Sequence, residues 1–217
     1  MIDLIIFDCD GVLVDSEIIG NRVFAEYLTA QGYPHSAAEC CAKYLGMSYA
    51  SVLMLFKENG RCLPEAFLKD VHDLIEVELS KNLKAIPGVK SVLESVKLRY
   101  CVASSGTPEK IQNSLTKTDL VDYFDGNLFS FQQVKNGKPA PDLFLFAAEQ
   151  MGVEPARTLV VEDSKAGVMA GISAGMTVVG FTGGSHIETG HAESLLDLGA
   201  QHILADMRQL DELLASL

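Results

Sequence analysis

The chain opens on an unbroken apolar run, Leu4-Ile5-Ile6-Phe7, that stops in Asp8-Cys9-Asp10-Gly11. A short continuous run bounded by turn residues is the pattern of a strand buried on both faces, as in a parallel sheet. After Glu17 the period becomes helical: Ile18, Val23, Phe24, Tyr27 and Leu28 form one stripe up to Gly32. Tyr33-Pro34-His35-Ser36 is a break, and Ser36 is the expected N-cap of a helix over Ala37 to Leu45. Gly46-Met47-Ser48 interrupts again, then Val52, Leu53, Leu55 and Phe56 predict a third helix ending near Asn59-Gly60. A fourth is predicted from Pro64, with Phe67, Val71, Leu74, Ile75 and Leu79 on one face. Residues 17–82 thus read as four helices with no strand among them.

From Pro87-Gly88 onward short apolar runs alternate with amphipathic segments. The predicted strands are Tyr100 to Ala103, Asn127 to Phe129, Thr158 to Val161, Thr177 to Phe181 and His202 to Leu204, with helices at 88–97, 108–117, 141–151, 165–174, 192–198 and 207–216. Such alternation means βα units and a mostly parallel sheet. The first strand finds its partners only in this later region, so the helical block is an insertion. The fold class is therefore α/β: a Rossmann-like core of residues 1–16 and 83–217 carrying a four-helix cap of residues 17–82. The hinges of this cap fall near Asp15–Glu17 and Leu83–Pro87.

Composition narrows the partners. The net charge of -12 argues against nucleic acid or an anionic membrane surface, which require a surplus of Lys and Arg. An anionic small molecule stays compatible, since a bound metal and a few cations reverse the sign locally. The five cysteines are odd in number and lack C-x-x-C spacing, so neither a disulfide framework nor a zinc site is indicated, and a cytoplasmic location is expected. No stretch approaches the length of a membrane span and the first residues carry no basic region, so a soluble protein, taken as a monomer, is expected.

Four places carry candidate chemistry. In an extended segment Asp8 and Asp10 share a face and repel unless a cation sits between them, which points to magnesium, although D-x-D-G is also an ordinary turn. The second strand ends in Ser104-Ser105-Gly106-Thr107-Pro108, hydroxyls and backbone N–H groups at a helix start, suited to an anion or to a helix cap. Lys138 stands before Pro139, which biases it toward extended backbone and aims its side chain, whereas most lone lysines are solvated. Glu162-Asp163-Ser164 follow the apolar run from Thr158, where paired carboxylates need a compensating cation or donors, the alternative being that Asp163 or Ser164 is the N-cap of the next helix. A parallel sheet brings strand ends of this kind together at one edge.

With DCDGVLVDSE, VASSG, KPAPD and VVEDSKAG in this order and a helical insertion after the first, the chain resembles the haloacid dehalogenase superfamily of phosphatases, in the helical-cap branch that includes β-phosphoglucomutase-like enzymes and phosphoglycolate and 6-phosphogluconate phosphatases. The resemblance implies that Asp8 is the nucleophile and Asp10 the general acid and base. It further implies that Ser104, Ser105, Gly106 and Lys138 bind the phosphoryl group. Mg²⁺ would be held by Asp8, the Asp10 carbonyl and Asp163, with Glu162 as outer partner. The implied reaction is hydrolysis of a small phosphorylated metabolite, a sugar or sugar-acid phosphate, through an aspartyl-phosphate, the cap excluding and then admitting water. In the cap, Glu17, Asn21, Gly46 and Tyr49 are candidate substrate contacts.

Sugar-phosphate mutases of the same branch carry a histidine on the first cap helix and an arginine after the cap turn. Here those stretches read Ile18-Ile19-Gly20-Asn21 and Gly46-Met47-Ser48-Tyr49, without either basic residue, which favours a hydrolase. A dehalogenase needs no acid at Asp10, and a phosphonate hydrolase needs a Schiff-base lysine in the cap, where Lys57 and Lys69 exist but nothing marks either as buried. A phospho-aspartate signalling module needs neither Asp10 nor the insertion.

Overall fold

The computed structural model describes residues 1–44, 47 and 49–217, and residues 16–83 and the rest, 1–15 with 84–217, form two compact units. In the larger unit six strands are described: β1 (Leu4–Phe7), β2 (Arg99–Ser104), β3 (Leu128–Ser130), β4 (Thr158–Glu162), β5 (Thr177–Phe181) and β6 (His202–Leu204). They form one sheet in the order β3-β2-β1-β4-β5-β6, and every ladder is parallel. The chain runs outward from β1 in one direction to β3, then returns to β1's other side and runs outward again. The switch point therefore lies between β1 and β4, where the crevice beyond the strand ends opens.

β1 is apolar throughout because helices cover both faces, and all four of its residues are buried. With helices numbered in chain order, Leu4 and Ile6 pack with Leu143, Phe144 and Ala147 of α7 (Asp142–Gln150). On the opposite face Phe7 meets the edge of Tyr100, ring centres 6.3 Å apart. Each such buried side chain contributes about 1.5–3 kcal/mol relative to exposure.

Three strands run one residue further at their carboxyl ends than their apolar runs suggest: β2 carries Ser104 opposite Ser130, which extends β3 in the same way, and β4 carries Glu162 opposite Gly180. The ladder of the neighbouring strand, rather than hydrophobicity, holds these polar residues extended. In the other direction, the helix expected over 88–97 is shorter, α5 (Val89–Ser95), and the last begins with a 3₁₀ turn at Met207–Gln209 before α10 (Leu210–Ser216). Helices α6 (Pro108–Lys117), α8 (Lys165–Ser173) and α9 (His191–Asp197) complete the larger unit.

The smaller unit contains α1 (Glu17–Ala30), α2 (Ala37–Tyr44), α3 (Tyr49–Glu58) and α4 (Phe67–Asn82). Its core is Phe24, Leu28, Cys40, Val52, Phe56, Phe67 and Val71 with their neighbours. Ser36 caps α2 in a reciprocal box: its Oγ accepts from Glu39 N at 3.2 Å and its own N–H donates to Glu39 Oε2 at 2.8 Å. Leu45, the expected end of α2, lies outside the described residues. Helix α4 starts at Phe67 rather than Pro64, because Phe67 N–H closes a tight turn onto the Pro64 carbonyl at 3.0 Å and the α-helical bonding begins one step later. Of the two stripes, Ile18 and Leu74 are exposed; Ile19 takes the buried place on α1, and Phe67, Val71 and Leu79 carry the buried face of α4. No helix of the described residues is long and apolar enough to cross a membrane.

The chain leaves and re-enters the larger unit through adjoining backbone. Asp15 N–H donates to the Lys84 carbonyl at 2.9 Å, Ile86 N–H to the Leu13 carbonyl at 2.9 Å, and Val14 and Ala85 form an antiparallel bridge.

Candidate active site

Asp8 follows β1 immediately, and its N–H stays in the sheet, donating to the Val161 carbonyl at 3.0 Å. This aims its carboxylate into the crevice beside β4. There Glu162 and Asp163 end their own strand, and one carboxylate oxygen each from Asp8, Glu162 and Asp163 lie within 4.8 Å of one another, all three residues being buried. Gly11 closes the turn after Asp10 with φ +80°, and a Cβ there would collide with the Asp163 carboxylate. The glycine of D-x-D-G is thus required twice, for its backbone and for the space it leaves.

Lys138 reaches the same cluster from the loop before α7. Its Nζ donates to Asp8 Oδ1 at 2.7 Å, Glu162 Oε1 at 2.6 Å and the Ala103 carbonyl at 3.0 Å, and it lies 4.8 Å from the centre of the Phe144 ring. The loop is pinned behind it by Asp142, whose Oδ1 accepts from Asn136 N at 3.1 Å and Asn136 Nδ2 at 2.8 Å. Only 3% of the lysine side chain is exposed, so its charge is committed to the crevice.

The electrostatics follow from burial. Loss of water would by itself lower the Lys138 ammonium, but Asp8 and Glu162 outweigh that effect and hold it above the ordinary lysine value. Burial likewise pushes the Asp8 carboxyl well above the usual range; Lys138 draws it down, while Glu162 and Asp163 add to the rise. Three buried carboxylates facing one ammonium leave an excess of negative charge, and an all-oxygen donor set with such an excess fits a hard divalent cation. Glu162 also has both oxygens engaged by the chain: Oε1 by Lys138, Oε2 by Ser164 N at 2.8 Å and Ser164 Oγ at 2.9 Å.

Helix capping falls to neighbouring residues. Thr107 is the N-cap of α6, accepting from Lys110 N at 3.2 Å, and Ser164 is that of α8, accepting from Gly167 N at 3.0 Å. Neither Ser104 nor Asp163 serves as cap. Ser104 is buried and its Oγ accepts from Gly106 N at 3.0 Å, while Ser130 Oγ donates to the Gly106 carbonyl at 2.7 Å, holding the turn. Ser105 at the turn's apex is exposed.

Asp10 meets a residue outside the four motifs: Lys110 Nζ donates to its Oδ2 at 2.7 Å. The sequence holds a faint signal for it, because a cation in the first turn of a helix opposes the helix dipole and needs another reason to be there. The loop after β5 also lies outside the motifs. His186 Nε2 lies 2.9 Å from Asp163 Oδ2, His191 Nε2 lies 2.6 Å from the Asp163 carbonyl, and Ser185 donates to Asp15.

The smaller unit holds the remaining candidates. Glu17 stands in the first turn of α1 and is half-buried. Asn21, on the same helix, is half-buried, and its amide nitrogen is buried without a hydrogen-bond partner among the described residues. Tyr49 packs its ring on Phe24, centres 5.1 Å apart. Gly46 lies outside the described residues. Lys57 and Lys69 are both exposed, and Lys69 pairs with Asp73 at 2.5 Å.

A parallel sheet of order 3-2-1-4-5-6 with this acidic cluster at its switch point belongs to a recognisable class: the family model of haloacid dehalogenase-like hydrolases matches residues 5–181, and the chain is a member of that family. Among curated relatives, the 6-phosphogluconate phosphatase of Escherichia coli is 33% identical over 187 residues, covering 85% of this chain and 85% of that protein. The phosphorylated carbohydrates phosphatase of Thermotoga maritima is 34% identical over 179 residues, covering 80% and 82%. A crystal structure of a haloacid dehalogenase-like protein from Agrobacterium tumefaciens superposes with a TM-score of 0.94 at 39% identity, covering 100% of this chain and 99% of that one.

Proposed function

We propose that this chain is a Mg²⁺-dependent phosphomonoesterase acting on a small phosphorylated metabolite, a sugar or sugar-acid phosphate, as the names of the two curated relatives suggest. The observation that carries the reading is Lys138, buried and bonded at once to Asp8 and Glu162 beside Asp163. In this arrangement Asp8 and Asp163, with the Asp10 carbonyl, would hold the cation and Glu162 would stand behind them, since its own oxygens are already bonded. When bound, the ion supplies charge neutralisation that lets a carboxylate approach a phosphate dianion.

The chain's own residues divide the work. An Asp8 oxygen attacks phosphorus, the bond from phosphorus to the ester oxygen breaks, and Asp10 gives its proton to the departing alkoxide. The product is an alcohol and an Asp8 acyl phosphate. Asp10, now a carboxylate, takes a proton from water as the water oxygen attacks phosphorus; the Asp8–phosphorus bond breaks, releasing phosphate and restoring both aspartates. Lys138 counters charge on Asp8 and the equatorial oxygens, and Ser104 and Ser105 bind those oxygens at the start of α6, with Gly106 closing the turn through its N–H to Ser104 Oγ.

The test is hydrolysis of p-nitrophenyl phosphate by purified protein with Mg²⁺, followed by a panel of sugar and sugar-acid phosphates ranked by kcat/KM. Turnover that disappears in Asp8→Asn supports the reading, and equal turnover in that variant removes it.

A further inference from the structure

The loop from Thr182 to Gly190, between β5 and α9, supplies no group to the chemistry just described, yet it and the first residue of α9 are bonded into the crevice at three points. Ser185 N and Oγ donate to the two oxygens of Asp15 at 3.1 and 2.5 Å. His186 Nε2 lies 2.9 Å from Asp163 Oδ2, and His191 Nε2 lies 2.6 Å from the Asp163 carbonyl. Two histidines thus hold a single aspartate, one by its side chain and one by its backbone.

The space for this grip is reserved by glycines on both sides. A Cβ on Gly11 would meet the Asp163 carboxylate and come within 3.0 Å of the His186 ring; a Cβ on Gly184 would fall 2.7 Å from the same ring and 3.1 Å from the Gly11 carbonyl. His186 is only 4% exposed. Its Nε2 is set against a carboxylate of the acidic cluster.

We propose that His186 is a positioning residue that fixes the Asp163 carboxylate for a divalent cation, the loop after β5 being built to deliver it. The proposal rests on the reading of Asp163 as a cation ligand. Its physical basis is general: a carboxylate that coordinates a metal is itself oriented by a hydrogen-bonded partner, and loss of such a partner lowers metal affinity about 10–100-fold. With one oxygen tied to imidazole, Asp163 cannot rotate about its terminal torsion, and its other oxygen keeps one direction.

The experiment is titration of the metal-stripped full chain with Mn²⁺ alone, read by the electron paramagnetic resonance signal of the free ion. Wild type is expected to bind, His186→Leu to bind ten- to a hundredfold more weakly, and His186→Gln, whose amide can still donate to Asp163, to recover most of the loss. Each variant is compared at matching near-ultraviolet circular dichroism; where His186→Leu does not fold, His186→Asn, too short to reach the carboxylate, takes its place. Absence of binding in wild type removes the cation reading itself. Wild-type binding together with an unchanged His186→Leu, or with a His186→Gln as weak as the leucine variant, overturns the role of His186 and leaves the cation reading standing.

Discussion

Lys110 Nζ and Asp10 Oδ2 lie 2.7 Å apart although a hundred residues of chain separate them. The lysine stands in the first turn of α6 and the aspartate in the turn after β1, so the pair ties the start of α6 to the proposed proton donor. About a third of the lysine side chain is exposed, against 16% of the aspartate. Asp10 thus pairs with Lys110, and Asp8 with Lys138.

If Lys110 orients the proton donor, its removal should hurt most where the departing oxygen needs a proton. Lys110→Met is expected to lower kcat about tenfold on a sugar phosphate, less than the roughly 10²–10⁴-fold ascribed to acid–base catalysis as a whole because Asp10 itself remains, and distinctly less on p-nitrophenyl phosphate, whose phenolate leaves readily. Paired kcat measurements on the two substrates check this; equal losses on both would mean that Lys110 binds phosphate rather than serving Asp10.

Lys138 presents the opposite case, a charge almost fully buried among carboxylates. Removing one partner of a buried pair leaves the others uncompensated, so Lys138→Ala should destabilise the protein by about 3–5 kcal/mol. Urea unfolding followed by circular dichroism measures it. Lys138→Met, unbranched, close to lysine in volume and without charge, should fare no better, since the defect is electrostatic and not a cavity.

The acid cluster should make stability depend on divalent cations. A ligand that binds only the folded state stabilises it by about 2.7 kcal/mol at a hundred times its Kd. Mg²⁺ is therefore expected to raise the melting temperature by several degrees, at about 2–4 °C per kcal/mol, with EDTA reversing the shift. Asp163→Asn should abolish the response in the same thermal scan.

Gly167 offers a prediction whose sign is diagnostic. It lies within α8, where exchanging glycine for alanine ordinarily gains about 1 kcal/mol. Here the added methyl would land on the Glu162 carboxylate. Gly167→Ala should instead destabilise by about 1–3 kcal/mol, as overpacking does, and displace Glu162 from Lys138. Chemical denaturation decides between gain and loss.

Of the five cysteines, Cys9, Cys40, Cys41 and Cys101 are buried and Cys62 is exposed. Burial pushes the Cys40 thiol up to about 11, with Glu39 adding to the rise, so its thiolate is scarce near neutrality. A thiol reagent at pH 8 should titrate one group rapidly in the native protein and five after denaturation. Loss of the fast phase in Cys62→Ser completes the assignment.

Much of this architecture is legible in the sequence alone. Buried strands advertise themselves, since a run such as Leu4–Phe7 has no other stable place, and the acidic or hydroxylated residues that terminate β1, β2 and β4 mark the crevice. The phase of a helix is less legible: Ile18 and Ile19 are adjacent and equally apolar, and only packing decides that Ile19 turns inward. Lys110 and His186 escape a reading of the sequence for another reason. Each becomes informative only through a partner remote in sequence, Asp10 in one case and Asp163 in the other. The extra residues on β2 and β4 belong to the same category, because the neighbouring strand sets where a ladder stops.

The adjoining backbone at Asp15 and Lys84 has a further implication. With Leu13 and Ile86 also hydrogen-bonded, the segment from 16 to 83 occupies the place of a hairpin loop, and the α/β unit meets its own ends without it. A two-residue Asn-Gly turn could then stand in its stead, since that dipeptide suits the tightest antiparallel connection. The gene for such a mini-protein should yield a folded α/β module that keeps the acid cluster, making the interrupted chain a socket into which other inserts can be spliced.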